Sequence, residues 1–99
     1  MNEISIEDFL KIDISKLQVI DIREYYEYTN GHIDSINIPM GEILNSLPKI
    51  DSKKQVILYC QTGRRAASAV YILQKNHNLN HVFNLIGGYE ENINFKSNK

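Results

Sequence analysis

Apolar positions along the chain fall into two kinds of pattern that take turns. Val56-Ile57-Leu58-Tyr59 is an unbroken apolar run, short enough to be a strand buried on both faces. Soon afterwards Ala66, Ala69, Val70 and Leu73 recur at helical spacing, with the small residues leading, so the predicted helix can lie close to a sheet. Upstream, Gln18-Val19-Ile20-Asp21-Ile22 is a β-branched run that predicts a strand, and residues 23–29 read as a helix stopped at Asn30-Gly31. Ile4 is assigned to a short edge strand, and Ser5 is placed to cap a helix over Ile6 to Lys11 with Asp8 in its first turn. From His32 the chain reads as a second extended piece with Ile36 and Ile38 on one face, closed by Pro39. Met40 to Leu47 reads as a short helix with Ile43, Leu44 and Leu47 on one side, ended by Pro48, and Asp51-Ser52-Lys53-Lys54 is a polar turn. Val82-Phe83-Asn84-Leu85-Ile86 predicts a last strand ending at Gly87-Gly88, where the backbone is expected to need unusual φ.

Strands alternating with helices predict an α/β domain with a central parallel sheet covered by helices on both faces. Ligands in such sheets bind at the carboxyl ends of the strands, and Cys60, Asp21 and Gly87-Gly88 all fall at such ends. With 99 residues and 42% apolar content the chain is expected to form one domain, 1–99, fraying at 1–3 and over the polar residues 93–99. A net charge of −1, from eleven basic and twelve acidic side chains, gives no general attraction to nucleic acid or to an anionic membrane. No stretch approaches the apolar length of a membrane span. A single cysteine excludes an internal disulfide, and Met1-Asn2-Glu3-Ile4 lacks the basic start and apolar run of a secretion signal, so a reducing, cytoplasmic setting is expected.

The candidate chemistry gathers on Cys60-Gln61-Thr62-Gly63-Arg64-Arg65, the turn between the central strand and the helix after it. A cysteine ending a core strand often does no more than pack. Here, however, it stands where first-turn amides lack intrahelical partners and the helix dipole adds positive charge, an arrangement that cradles anions and favours a thiolate. Arg64 and Arg65 oppose that dipole, and so gain from it only when an anion arrives. The expectation is a cysteine enzyme acting on a small anionic group. Asp21 is placed to buttress loop backbone, and Arg23 and Glu27 are spaced for a helical pair. His32 after a helix-stopping glycine is read as a hydrogen-bonded turn residue rather than a base for Cys60. His77 and His81 lie four apart with no ligating side chain beside them, so no metal site is expected.

Several motifs in this order resemble single-domain rhodaneses over nearly the whole chain. Asp21-Ile22-Arg23-Glu24 with Glu27, Gly31-His32-Ile33 and Asn37-Ile38-Pro39 are similar to that family's Asp-x-Arg, Gly-His-Ile and Asn-x-Pro signatures. Cys60-x-x-Gly63-x-Arg65 is similar to its cysteine loop, and Leu85-x-Gly87-Gly88 to its closing Gly-Gly element. The resemblance implies a sulfurtransferase in which Cys60 takes a sulfane sulfur as a persulfide. Gln61, Thr62, Gly63, Arg64 and Arg65 would bind the donor, and Asp21 and Arg23 would support the site. The implied partners are a small anionic sulfur donor such as thiosulfate, or a persulfidated protein, with an external thiol or cyanide as acceptor; no cofactor or metal is implied. Two departures stand out. The stretch Gly31 to Pro39 is one residue shorter than the family's usual turn and lacks its second glycine, and Asn92 replaces an expected aromatic, leaving Tyr89 or Phe95 to cover the core. Two rival readings stay open: a non-catalytic binding module of the same fold, and a cysteine-dependent phosphatase or arsenate reductase, which the absence of an acid in or beside the loop disfavours.

Overall fold

A computed structural model of the protein describes residues 2–97, with side chains as far as Ile93. Among the described residues five strands form one sheet: β1 (Glu3–Ile4), β2 (Leu17–Asp21), β3 (Ile36–Asn37), β4 (Gln55–Tyr59) and β5 (Val82–Leu85). They lie in the order β1-β5-β4-β2-β3 and every pairing is parallel. Connecting and covering them are the α-helices α1 (Ile6–Phe9), α2 (Tyr25–Thr29), α3 (Arg64–His77) and α4 (Gly88–Ser97).

Strand β4 takes the centre because nothing in it needs water. Val56, Ile57, Leu58 and Tyr59 are fully buried. Their side chains alternate between two cores, as the pleat requires. Val56 and Leu58 join Ile20, Ile22, Val70 and Leu73 on the α3 side, whereas Ile57 and Tyr59 join Ile6, Phe9, Ile33 and Leu85 on the other. The stripe Ala66, Ala69, Val70 and Leu73 is the buried face of α3. The paired register Asp21 to Tyr59 brings the carboxyl ends of β2 and β4 level, so the segments leaving these two strands meet at one end of the sheet.

Several expectations are corrected. Helix α2 begins at Tyr25, two residues later than read, because Glu24 and Glu27 form a capping box in which each side chain accepts the other's backbone N–H. Arg23 therefore lies outside the helix, and the helical Arg23–Glu27 pair does not exist. The stretch Met40–Lys49 is 3₁₀ and contains Pro48, which was expected to end it. A break at Ser46 (φ −122°) starts a fresh turn that tolerates the proline. Ile36 is exposed although Ile38 is buried, since only Ile36–Asn37 is strand. Helix α1 ends at Phe9 rather than Lys11, under the expected Ser5 cap, whose hydroxyl accepts the Asp8 N–H at 3.1 Å. At the ends, Glu3 pairs with Asn84 and α4 runs to Ser97, while Met1 and residues 98–99 lie outside the described residues.

Candidate active site

Strand β4 delivers Cys60 to the carboxyl edge of the sheet, and α3 begins four residues later. Between them Gly63 turns the chain with φ 97°, a conformation that costs a residue with a Cβ but not glycine. The turn aims two backbone donors at the sulfur: Cys60 Sγ accepts from Gly63 N at 3.1 Å and from Ala66 N at 3.3 Å. These are amides that a helix start leaves without intrahelical partners, and α3, at 14 residues, adds its dipole along the same line. Negative charge on the sulfur is therefore met by donors already in place. Cys60 itself is 1% exposed.

The loop is fixed from behind by β5 and α4. The Gly63 carbonyl accepts from Ala67 N at 3.0 Å and from Asn84 Nδ2 at 3.3 Å. Asn84, buried on β5, is a loop support that sequence reading missed; a polar residue inside an apolar strand was the available signal. Beyond β5, Tyr89 N donates to Cys60 O at 2.8 Å and Glu90 N to Gln61 O at 2.9 Å. Gly87 and Gly88 take φ values of 82° and 61°, the unusual backbone expected there. A Cβ on Gly88 would stand 2.5 Å from Cys60 O, so this close approach needs glycine.

Asp21 and Arg23 lie beneath the loop. The Arg23 guanidinium donates from Nη2 to Asp21 Oδ2 at 2.7 Å and from Nε to both carboxylate oxygens at 3.0 Å, and the Arg23 backbone N–H adds a bond of 2.9 Å to Oδ1. The same guanidinium reaches Gln61 Oε1 at 3.1 Å and Gly31 O at 2.7 Å, with its carbon 4.4 Å from the Tyr89 ring centroid. Arg23 is 2% exposed and Asp21 not at all. Burial works against the Arg23 charge, but the Asp21 carboxylate more than offsets it and the guanidinium pKa is raised. One buried cation thus joins β2, the start of the Cys60 loop, the turn after α2 and the start of α4.

The remaining loop residues divide by exposure. Thr62 and Arg64 face solvent, while Gln61 is turned toward Arg23. Arg65 reaches across to α2, donating from Nη1 to Glu27 Oε1 at 2.9 Å and from Nη2 to Oε2 at 3.0 Å. This fork holds the Glu27 carboxyl below its ordinary range. His32 stacks on Tyr28 with ring centroids 3.8 Å apart, and its Nδ1 lies 2.8 Å from Tyr28 O, the turn role read from the sequence. His81 Nε2 lies 2.8 Å from Asp51 O and His77 is exposed in the last turn of α3. Among the described residues no group of three or more His, Cys, Asp or Glu side chains is placed to hold a metal ion.

This loop, with its sheet order and closing glycines, is matched elsewhere: residues 7–94 fit the profile of the rhodanese-like domain. The chain belongs to the rhodanese-like family. It is 32% identical over 92 residues to a sulfurtransferase from Allochromatium vinosum, covering 89% of this chain and 84% of that protein. It is 30% identical over 92 residues to the putative sulfur carrier protein YrkF of Bacillus subtilis, covering 90% of this chain but only 49% of YrkF. A crystal structure of a rhodanese-related protein from Thermoplasma volcanium superposes with a TM-score of 0.83 at 28% identity, over 96% of this chain and 93% of that one.

The two stretches read as departing from the family pattern are each held by local hydrogen bonds in this rhodanese-like domain. In the shortened turn, Tyr28 Oη donates to Ser35 O at 2.8 Å, Ser35 Oγ to Ile33 O at 2.6 Å, and Ile33 N to Tyr59 Oη at 3.1 Å. Hydrogen bonds to two tyrosines thus hold the chain where the glycine is missing. Asn92 is buried and donates from Nδ2 to Ile86 O at 2.9 Å and Gly88 O at 2.6 Å, tying α4 back onto the Gly87-Gly88 turn. Tyr89 packs against the Tyr59 side of the core, with ring centroids 6.4 Å apart, and so provides the expected aromatic cover. The Phe95 side chain, the other candidate for that role, lies outside the described residues. No helix among the described residues is long and apolar enough to cross a membrane.

Proposed function

We propose that this rhodanese-like domain is a sulfurtransferase in which Cys60 carries the sulfur. Family membership and sulfur-transfer names among its relatives support the class. The observation that carries the residue assignment is the pair of amide bonds, from Gly63 and Ala66, onto Cys60 Sγ. In the reaction the Cys60 thiolate attacks the outer sulfur of the donor and a new S–S bond forms. The donor's own S–S bond breaks with its electron pair leaving on sulfite, from thiosulfate, or on a thiolate, from a persulfide. Both are good leaving groups, so no general acid is required. Gln61 to Arg65 form the donor's binding loop, and their backbone donors stabilise the charge that moves onto the persulfide. Asp21 and Arg23 fix the loop rather than touch the donor.

The single cysteine makes the second half-reaction external. No second thiol exists in the chain to take the sulfur, so the Cys60 persulfide waits for a thiol or cyanide to attack its outer sulfur and restore the thiolate. Intact mass spectrometry tests this reading. Incubation with a sulfane-sulfur donor should add one sulfur atom at Cys60, cyanide should remove it as thiocyanate, and Cys60→Ser should gain nothing while keeping its fold. A folded, reduced protein that gains no mass from thiosulfate or from a persulfide would refute it.

A further inference from the structure

Away from α3 and from the Cys60 loop, a cleft of about 470 Å³ opens between Phe9, Leu10 and Ile14 on one side and Ile33 and Ile36 on the other. It meets β2 at Leu17, Gln18 and Val19 alike. Successive residues of a strand point to opposite faces, so a cleft that touches three in a row runs along the strand's edge. The opening exists because β3 is short: it pairs only with Ile20 and Asp21, whereas β4 lies beside β2 from Leu17 to Asp21. Ahead of β3 the chain lies on the core instead of beside β2, with Ile33 buried and its N–H donated to Tyr59 Oη at 3.1 Å. The rim is apolar, and Ile14 at 75% is more exposed than any other large apolar side chain described.

The bare edge presents one acceptor and one donor at ladder spacing. Ile22 N donates to Tyr59 O, toward β4, and Ile38 N donates to Asp21 O, toward β3. Main-chain groups alternate sides along a strand, so Asp21, Val19 and Leu17 turn theirs away from β4. The Leu17 N–H is spent on Ile14 O, but the Leu17 carbonyl and the Val19 N–H have no hydrogen-bond partner among the described residues. In a parallel ladder, two such groups bind the N–H and the carbonyl of one residue lying between them. The polar side chains of the cleft are mostly occupied. The Gln18 amide donates to Lys49 O at 2.9 Å and accepts from Asp51 N at 2.8 Å, and Ser35 Oγ donates to Ile33 O at 2.6 Å. Asp34, exposed and in no ion pair among the described residues, is the one charged side chain lining the cleft, and a cation complements it.

We propose that this cleft receives an extended segment of a partner polypeptide, laid parallel to β2 with one residue level with Gln18. The Leu17 carbonyl accepts that residue's N–H, and the Val19 N–H donates to its carbonyl. An apolar side chain of the segment fills the cleft and a basic one meets Asp34. The pairing extends the sheet edge where β3 falls short, so main-chain bonds supply the affinity and the two side chains the selectivity. An apolar small molecule would fill the volume but leave both main-chain groups to water, and an acidic segment would bring like charge to Asp34. The surface does not depend on the sulfurtransferase reading.

Amide NMR of the full ¹⁵N-labelled chain tests this. In the free protein the Val19 amide should exchange with solvent about tenfold or more faster than those of Gln18 and Ile20, which turn to β4. The probe is an end-blocked hexapeptide of alternating valine and threonine with one lysine. Its controls are the glutamate counterpart and the lysine peptide with every amide N-methylated. The lysine peptide should shift the Val19 amide saturably, with a dissociation constant of about 1 mM, and slow its exchange. The N-methylated peptide should not bind. The glutamate peptide should bind about threefold more weakly, a difference that Asp34→Asn should abolish. A Val19 amide that exchanges as slowly as Ile20 in the free protein, no saturable shift up to about 10 mM peptide, or equal binding of the N-methylated peptide overturns the strand pairing. Equal binding of the glutamate peptide to wild type overturns the basic partner. If the same resonances move with protein concentration alone, the occupant is a second copy of the chain and the proposal fails.

Discussion

Gly88→Ala isolates the contact between the closing turn and the Cys60 loop. Gly88 has φ 61°, and a Cβ there would lie 2.5 Å from Cys60 O and 2.8 Å from both the carbon and the oxygen of the Gln61 carbonyl. All three are backbone atoms, held by the Tyr89 N–H to Cys60 O and Glu90 N–H to Gln61 O bonds, so the clash cannot be relieved by a side chain turning aside. The left-handed conformation costs a residue with a Cβ about 1–2 kcal/mol. Forcing a methyl into a filled space adds about 1–3 kcal/mol. The sum, about 2–5 kcal/mol, is a large share of the stability of a domain this size and should lower its melting temperature by about 10 °C or more. Urea unfolding followed by far-UV circular dichroism gives the free energy directly. Gly41→Ala is the control, since no atom lies within 4 Å of its built Cβ and its φ is not in the left-handed region. Gly41→Ala should fall within about 0.5 kcal/mol of wild type. If Gly88→Ala did the same, the argument that the closing turn is pressed against the loop would be wrong.

Single interactions set the other expected outcomes. Arg23→Ala leaves the buried Asp21 carboxylate unpaired and should cost about 3–5 kcal/mol in urea unfolding, with Arg23→Lys recovering only part because an ammonium cannot reproduce the fork. Tyr59→Phe removes the acceptor of the buried Ile33 N–H and should cost about 1–3 kcal/mol; burial also pushes the Tyr59 phenol above its ordinary pKa, so its phenolate should not form on titrating the folded protein to pH 10, and the absorbance change there should be the same in wild type and Tyr59→Phe. The Arg65 hydrogen bond lowers the Glu27 pKa on folding, so the bridge's stabilisation is complete above the ordinary glutamate range and is lost as pH falls through the lowered value. With Arg65 39% exposed the effect is at most about 1 kcal/mol, and urea melts of wild type and Glu27→Gln should differ at pH 7 and converge in acid.

What could be read in advance was what a local pattern determines. The run Val56 to Tyr59 fits a buried strand by its shortness, and the stripe Ala66, Ala69, Val70 and Leu73 fits a helix lying close against one. Gly63, Gly87 and Gly88 were legible because each sits at a positive φ that favours glycine. The rest depended on partners far along the chain. Arg23 and Glu27 have a spacing that suits a helix, but the buried Asp21 takes one and Arg65, 38 residues beyond Glu27, takes the other. Helix α4 was hidden by its composition, since its apolar residues are too few to mark a face; it is anchored by the Asn92 amide and the loop carbonyls. Pro48 misled because a proline ends a helix only where the turn before it is continuous, and Ser46 had already broken it.

The sheet order has a consequence for how the chain is made. Strand β1 emerges first, yet its sheet partner is β5, Glu3 beside Asn84 and Ile4 beside Leu85. The central strand β4 likewise has only β2 beside it until β5 arrives. From the making of Tyr59 until that of Leu85, therefore, one edge of the most apolar strand stays unpaired and open to other chains, and adding β1 to the far side of β5 then brings together residues about eighty positions apart, a slow step. A ribosome that stops short of Leu85 releases an open template for aggregation, whereas one that passes it releases a sheet able to close on itself.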